Sequence, residues 1–405
     1  MGQKTVIALF NLGGGMRGLV PAHFMTRIEE KTGLRMADMV DIFLGPSTGS
    51  ILNAALNIPH PNDPLRPKYR AKHLVRFYER EGIHIFPNDD YRKFRGFIHD
   101  FNNRTMKINQ LNNLFRHGHY DPGHLHRSLR ALLGTTKLSE TLNSLVIPTY
   151  NIDGDQIKAT KEDDESVHAP AHTVNNFVNE GGHAVWFKNI KINKARNIPS
   201  VPEVELYDAV LASTAAPSFF PCHHFSATDP ETGRSTRYSG IDGSIFDNPC
   251  MSYMGAIRQH LPKDVELKMI ILGTGYTNRS VSKDEWNRYG ALGVVDPVND
   301  LPLINIFFHA SESALIEAFG AEMGGNIYNF NKSLVSSGKL DYPSTQIDDA
   351  SEINLARLKN FSEELMEEEE KKLDEVCEIL VRNHEQRQGS SSEKSKGLGS
   401  ILFNR

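Results

Sequence analysis

Residues 42–50 read Ile-Phe-Leu-Gly-Pro-Ser-Thr-Gly-Ser, and this stretch indicates both a fold and a chemistry. An apolar run ends at Leu44, Ser47 stands between Gly45 and Gly49, and a helix-favouring segment follows. A strand, a sharp turn that carries a serine between two glycines, and a helix together form a nucleophile elbow. The serine of such a turn has a strained backbone, and the glycines avoid a collision between strand and helix. The pattern predicts that Ser47 is a nucleophile.

A glycine loop comes before the elbow. The apolar run Thr5–Leu12 is typical of a buried parallel strand and leads into Gly-Gly-Gly-Met-Arg-Gly at 13–18. A dinucleotide-binding loop would require an acidic residue at the end of the second strand, but Asp41 stands at its beginning. As an oxyanion hole, the loop would offer backbone N–H groups at the start of a helix predicted over Leu19–Thr32. The sequence favours the oxyanion hole.

A serine nucleophile needs a base, and the sequence offers an aspartate more readily than a histidine. Most of the 17 histidines fall in polar stretches. One group of them could bind a metal, but its spacing fits no standard ligand set and is typical of a solvated loop, so we predict no metal: His117, His119, His124 and His126. Asp242 ends a short apolar strand and precedes Gly243. Its carboxylate could be a general base, or the pair could be an ordinary Asp-Gly turn.

The rest of the chain alternates between strand and helix patterns. Further strands are predicted at 142–150, 185–192, 238–241 and 267–272, and further helices at 206–212, 301–325 and 351–386. This alternation indicates an α/β fold with a mostly parallel central sheet between helices. We predict a catalytic domain over 1–280, a helical C-terminal extension over 281–388 and a disordered tail over 389–405. The polar segment 153–182 is predicted to be a loop or lid.

Composition excludes several classes of protein. The net charge of −5 argues against a nucleic-acid binder. Three cysteines without a CxxC pair indicate reduced thiols and a cytoplasmic location. Neither a signal peptide nor an apolar run long enough to span a bilayer is evident, which predicts a soluble protein. Peripheral membrane contact could come from the apolar stretches 91–101 or 301–308, which could equally belong to the core.

Four blocks in this order resemble the patatin-like phospholipases: 13–18, 45–49, Ala-Ser-Thr-Ala-Ala-Pro at 212–217 and Asp-Gly-Ser at 242–244. The strand end Leu272–Gly275 is similar to that family too, and the resemblance covers residues 5–280. It implies a three-layer α/β/α sandwich and a Ser–Asp dyad without histidine. Ser47 would be the nucleophile and Asp242 the base. The resemblance also implies an oxyanion hole and a set of motif residues: Gly13, Gly14, Gly15 and Arg17 for the hole, and Gly18, Gly45, Gly49, Gly243 and Ser244 for the motifs.

The resemblance implies hydrolysis of acyl esters of membrane phospholipids or other lipids, without a cofactor. Two residues depart from the family pattern: Leu12 stands where an aspartate is usual, and Ser244 where glycine or alanine is usual. If that aspartate holds the glycine loop, another contact must do so here. Two alternatives remain open, an acyltransferase that uses the same acyl-serine and a non-enzymatic interaction protein on this scaffold. Some bacterial relatives need an activator, and a regulatory partner is therefore expected here without being identified.

Overall fold

The computed structural model describes residues 4–87, 120–153, 156–157, 181–192, 203–229, 233, 235–277, 282–284, 286–288, 319–320, 322–334 and 341–402, and its side chains as far as 388 except at 156–157. Several stretches named above lie outside these residues: 91–101, 301–308, most of 153–182, most of the predicted helix 301–325, and His117 and His119.

The described strands are β1 Lys4–Asn11, β2 Ile42–Leu44, β3 Pro59–His60, β4 Asp63–Pro67, β5 Ser144–Asn151, β6 Gln156–Ile157, β7 His183–Asn189, β8 His223–Thr228, β9 Ser235–Asp242, β10 Val265–Leu272 and β11 Ile327–Phe330. The described α-helices are α1 Leu19–Thr32, α2 Met36–Met39, α3 Thr48–Leu56, α4 Ala71–Ile85, α5 Pro122–Leu133, α6 Leu206–Thr214, α7 Pro249–Ser252, α8 Glu352–Glu368 and α9 Glu370–Leu402.

The main sheet has a parallel half and an antiparallel half. Its parallel half runs in the order β11-β10-β1-β2-β5. Strands β7 and β9 both pair antiparallel with β5, while β6 and β8 pair antiparallel with β9. The parallel half confirms the α/β class with a mostly parallel central sheet. It also brings the carboxyl ends of β1 and β2 side by side.

The sheet lies between two apolar layers. On β1, Ile7 and Leu9 face a large cluster that includes the buried faces of α1, α3, α4, α5, α6, α8 and α9. Val6, Ala8 and Phe10 face a second cluster that includes Ala256 and Ile257. Successive strand residues point to opposite faces, so β1 is apolar throughout because both of its faces are buried. The three-layer sandwich is confirmed.

The C-terminal helices belong to the first of these clusters. Within 351–386 the sequence has an apolar stripe at helical spacing, and all of its residues but the partly buried Leu355 are buried there: Leu358, Phe361, Leu365, Leu373, Val376 and Leu380. The single helix predicted over 351–386 is divided at Glu369, which caps α8 before α9 begins. Helix α9 continues to Leu402, into the stretch for which the sequence predicts disorder.

Among the described helices, none has both the length and the apolar character that crossing a membrane requires.

Candidate active site

The predicted elbow is present between β2 and α3. Ser47 has φ 52° and ψ −127°, a left-handed conformation that is uncommon for a residue with a side chain. Such strain persists only where surrounding contacts hold it. One of these contacts comes from α6, because the backbone N–H of Ser47 donates to Oγ of Ser213 at 3.0 Å. The chain therefore holds Ser47 in a strained turn.

The two elbow glycines are required by a neighbouring strand. A Cβ on either Gly45 or Gly49 would overlap the same atom, the carbonyl oxygen of Asn11 at the end of β1. The close approach is thus to β1, whereas the sequence suggested a collision between β2 and α3. A buried amide network connects the same parts. Asn11 Nδ2 donates to Asn53 Oδ1 at 2.7 Å, and Asn53 Nδ2 donates to the carbonyl oxygen of Leu44 at 2.6 Å.

Asp242 lies at the carboxyl end of β9, and the Ser47 side chain is close enough to its carboxyl group to lower the pKa of Asp242. Asp242 is only 3% exposed to solvent. The N–H of Ser244 donates to Oδ1 at 2.8 Å, and the Asp242 N–H donates to the carbonyl oxygen of Ala215 at 3.0 Å. Burial raises the pKa of Asp242 from 3.8 to about 6, while the nearby Ser47 side chain and the hydrogen bond from the Ser244 N–H oppose that rise. This carboxylate is therefore a stronger base than an ordinary aspartate.

The glycine loop lies directly against Ser47 and against Ser244, which follows Asp242 by two residues. A Cβ on Gly13 would overlap Oγ of Ser244 and lie 3.2 Å from Cβ of Ser47. Within the described part of the chain, the N–H groups of Gly13, Gly14 and Gly15 donate to no protein acceptor. Three unengaged amides beside a serine hydroxyl are the donors that a developing oxyanion needs.

Contacts other than an aspartate hold this loop. Thr274 Oγ1 donates to the carbonyl oxygen of Gly13 at 2.8 Å, and the Met16 N–H donates to that of Ile347 at 2.7 Å. Leu12, which replaces the usual aspartate, packs into the second apolar cluster, and its N–H donates to the carbonyl oxygen of Leu272 at 3.0 Å. The loop is thus fixed from the β10 side and from the segment before α8.

The end of the glycine loop contacts the elbow and α4. Arg17 is partly buried in the 3-10 turn Gly15–Gly18, and its N–H donates to the carbonyl oxygen of Gly14 at 3.1 Å. A Cβ on Gly18 would overlap Oγ1 of Thr48, the residue after the nucleophile. The Thr48 hydroxyl is in turn hydrogen-bonded to the buried Tyr78 hydroxyl of α4. The backbone N–H of Arg17 is therefore already engaged, and only its side chain could assist an anion.

Sequence reasoning missed most of the supporting residues. Ser213 belongs to the block 212–217 that carried the resemblance, but the pattern gave it no role. Asn53, Tyr78 and Thr274 support the elbow or the glycine loop through side-chain hydrogen bonds, which hydrophobic periodicity does not predict. Asp41 accepts from the N–H of Ile7 at 2.9 Å and so has a structural use at the start of β2.

The described residues contain neither a histidine hydrogen-bonded to Ser47 or Asp242 nor a group of three or more metal-ligating side chains. A hydroxyl, a buried carboxylate and unengaged amides form an arrangement suited to acyl transfer.

Comparison with known proteins gives a consistent result. The family model described as "Patatin-like phospholipase" matches residues 12–253. Patatin-like protein 2 of Oryza sativa subsp. indica is 24% identical over 396 residues, which cover 92% of this chain and 86% of the relative. Patatin-like protein 2 of Arabidopsis thaliana is 25% identical over 375 residues, covering 87% and 81%. Patatin-1-Kuras 2 of Solanum tuberosum is 23% identical over 390 residues, covering 90% and 87%.

Proposed function

Because this chain belongs to the patatin-like phospholipase family, we propose that it is a lipid acyl hydrolase of the phospholipase A type. It cleaves fatty acyl esters of membrane lipids through Ser47 and Asp242. The observation that carries this proposal is the placement of the strained Ser47 elbow and the buried Asp242 carboxylate beside the unengaged amides of the glycine loop.

The proposed reaction proceeds in two halves. Asp242 accepts the hydroxyl proton as Ser47 Oγ attacks the ester carbonyl carbon, and the amides of Gly13, Gly14 and Gly15 bind the oxyanion. The side chain of Arg17 assists that site. As the carbon–oxygen bond breaks, the departing lipid alcohol takes the proton from Asp242 and an acyl-serine remains. Water then attacks the acyl carbonyl with Asp242 again as base, which releases a fatty acid and restores Ser47. No cofactor takes part.

Burial of Asp242 suits this role. A base works best when its pKa lies near the working pH, and a pKa of about 6 is closer to neutrality than the ordinary value of 3.8. The carboxylate is still mostly ionised at neutral pH, so the enzyme rests in its reactive form.

The decisive experiment measures covalent labelling by a fluorophosphonate together with fatty acid release from phospholipid. We expect Ser47→Ala to abolish labelling and Asp242→Asn to reduce both readouts by at least about a hundredfold, the usual scale for loss of a general base. Full activity in folded Asp242→Asn protein would contradict the dyad. Transfer of the acyl group to an added alcohol in place of water would identify an acyltransferase.

A matched control lies five residues away. Asp247 is also buried, its pKa is raised to about 7 by burial, and its carboxylate accepts from Trp186 Nε1 at 3.0 Å and from Ser252 Oγ. Asp247→Asn therefore removes a buried charge without removing the proposed base. We expect this variant to keep its fluorophosphonate labelling.

We further propose that the enzyme meets its substrate by peripheral contact with a membrane.

We also propose a cytoplasmic location. All three cysteines, Cys222, Cys250 and Cys377, are free thiols, which supports a reducing compartment.

A further inference from the structure

A groove between α4 and α5 lies outside the proposed catalytic machinery. Its cavity volume is about 780 Å³, and most of its polar lining is cationic or can become so. These side chains define what we name the α4–α5 groove: Arg76, Arg80, Arg127, His73, His84 and His124. Tyr69 and Phe77 add aromatic walls.

The arginines of the groove are not paired with any carboxylate in the part of the chain that the structure describes. Arg76, Arg80 and Arg127 are exposed, and none of them forms an ion pair with a described carboxylate. Among the described residues of the lining, the acidic side chain is Glu81, whose Oε2 accepts a hydrogen bond from Ser128 Oγ at 2.6 Å. The whole chain has a net charge of −5, so this groove differs in sign from the molecule that carries it.

The spacing of the cations concentrates the charge on one face. Arg76 and Arg80 are four residues apart on α4, where like charges repel, and His84 follows at the same interval. Across the groove, the ring of His124 stacks on that of His84 with centroids 6.1 Å apart. Planar guanidinium groups bind phosphate oxygens in pairs, and a bound anion would remove the repulsion. The groove is therefore suited to phosphate-bearing ligands.

The opposite side of the same helix reaches the proposed active site. Tyr78 is hydrogen-bonded to Thr48, and Gly82 leaves no room for a Cβ beside the Met16 side chain of the glycine loop. Helix α4 thus carries the cationic groove outside and touches both catalytic loops inside.

We propose that the α4–α5 groove binds the phosphate headgroups of an anionic phospholipid surface and holds the enzyme there. The inference rests on the proposed lipid hydrolase function. A volume of about 780 Å³ exceeds that of one phosphate, and the groove is open along two helices, as contact with several headgroups requires. Because the net charge is negative, attraction to such a surface must come from a local cationic site.

The test separates binding from catalysis by using Ser47→Ala protein, which cannot hydrolyse the vesicles. Sedimentation with vesicles of phosphatidylcholine alone is compared with vesicles that also contain phosphatidylglycerol. We expect binding to need the anionic lipid. Adding Arg76→Gln, Arg80→Gln and Arg127→Gln should weaken it about a hundredfold, since each arginine near an anionic surface contributes about fivefold. The matched control, Arg27→Gln with Lys263→Gln and Lys371→Gln, makes the same charge change at exposed positions outside the groove and should bind nearly as well as the parent.

Three results would overturn the proposal: equal binding to both kinds of vesicle, equal losses in the groove and control variants, or groove-dependent binding to heparin without vesicle binding. The last result would assign the groove to a polyanionic macromolecule. With Ser47 intact, the groove variant should hydrolyse a soluble short-chain ester at the parent rate while losing activity on anionic vesicles. Parent enzyme that neither reacts with the fluorophosphonate nor hydrolyses the soluble ester or phospholipid would refute the proposed function and leave the vesicle-binding result to decide the groove.

Discussion

At the scale of single residues, Asp242 connects the proposed catalysis to stability. Burial raises its folded-state pKa from 3.8 to about 6, so ionisation is less favourable in the folded protein than in the unfolded chain. The resulting loss of stability is absent below about pH 4, grows as pH rises, and is complete above about pH 7. The sign is thus opposite to that of a salt-bridged carboxylate.

Asp242→Asn removes this penalty together with the proposed base. We expect the variant to be more stable than the parent at about pH 8, by on the order of 3 kcal/mol, and to lose that advantage at about pH 4. Urea unfolding of both proteins at the two pH values measures the difference. An advantage of the same size at both would show that the charge of Asp242 is not its cause.

The elbow glycines give a second prediction at this scale. Alanine normally stabilises a helical position relative to glycine by up to about 1 kcal/mol. In Gly49→Ala, the new Cβ would overlap the Asn11 carbonyl oxygen, so we expect a loss of about 1–3 kcal/mol and slower fluorophosphonate labelling. Gly320→Ala is the control, because a Cβ there meets no described atom within 4 Å. If both variants change the melting temperature equally, the overlap of the new Cβ with the Asn11 carbonyl oxygen does not explain the loss in Gly49→Ala.

At the scale of elements, helix α9 is anchored below the elbow. Arg387 Nη1 donates to the carbonyl oxygen of Val40 at 3.0 Å, just before β2, and Nη2 donates to Asn143 Oδ1 at 2.8 Å. Asn143 Nδ2 donates in turn to Asn57 Oδ1 at 3.1 Å, directly after α3. One arginine of α9 therefore connects the approaches to two elements that hold Ser47.

Arg387→Met should lower the free energy of unfolding by about 1–3 kcal/mol, because it leaves buried acceptors without their donor. Arg382→Met on the same helix removes only a pair with Glu378, whose side chains are 64% and 73% exposed, and should cost at most about 0.5 kcal/mol. Denaturant unfolding of the two variants compares them directly. Equal losses would mean that α9 is held by its apolar stripe alone.

Periodicity predicted the long elements well for a physical reason. Strands β1, β5 and β10 and helix α1 have apolar patterns long enough to identify, and α1 ends where predicted, with Gly33 at φ 71°. Strands β8 and β11 were missed because their six and four residues carry little pattern. The pair β3–β4 lies in a proline-rich stretch for which the sequence predicts no strand.

At the scale of the whole molecule, distant pairing brings the site together. Strand β1 pairs in parallel with β10 along its full length, from Lys4 with Val265 to Asn11 with Leu272. Asp242 reaches the site because β9 pairs with β5, where Thr149 lies opposite Asp242. Local patterns identify Ser47, Asp242 and the glycine loop as candidates, but no local pattern contains these pairings. The contacts from Ser213 and Thr274 depend on them, which is why the sequence did not reveal their roles.

The pairing of β1 with β10 also bears on the order of synthesis. Translation makes β1 and the elbow well before their sheet neighbour β10, the Asp242 carboxylate and the Arg387 anchor. Contacts so distant in sequence form late in folding. A nascent chain that ends before these elements would therefore carry Ser47 without its proposed base or its supports. We expect such nascent chains to be unable to attack the membranes of the cell that makes them.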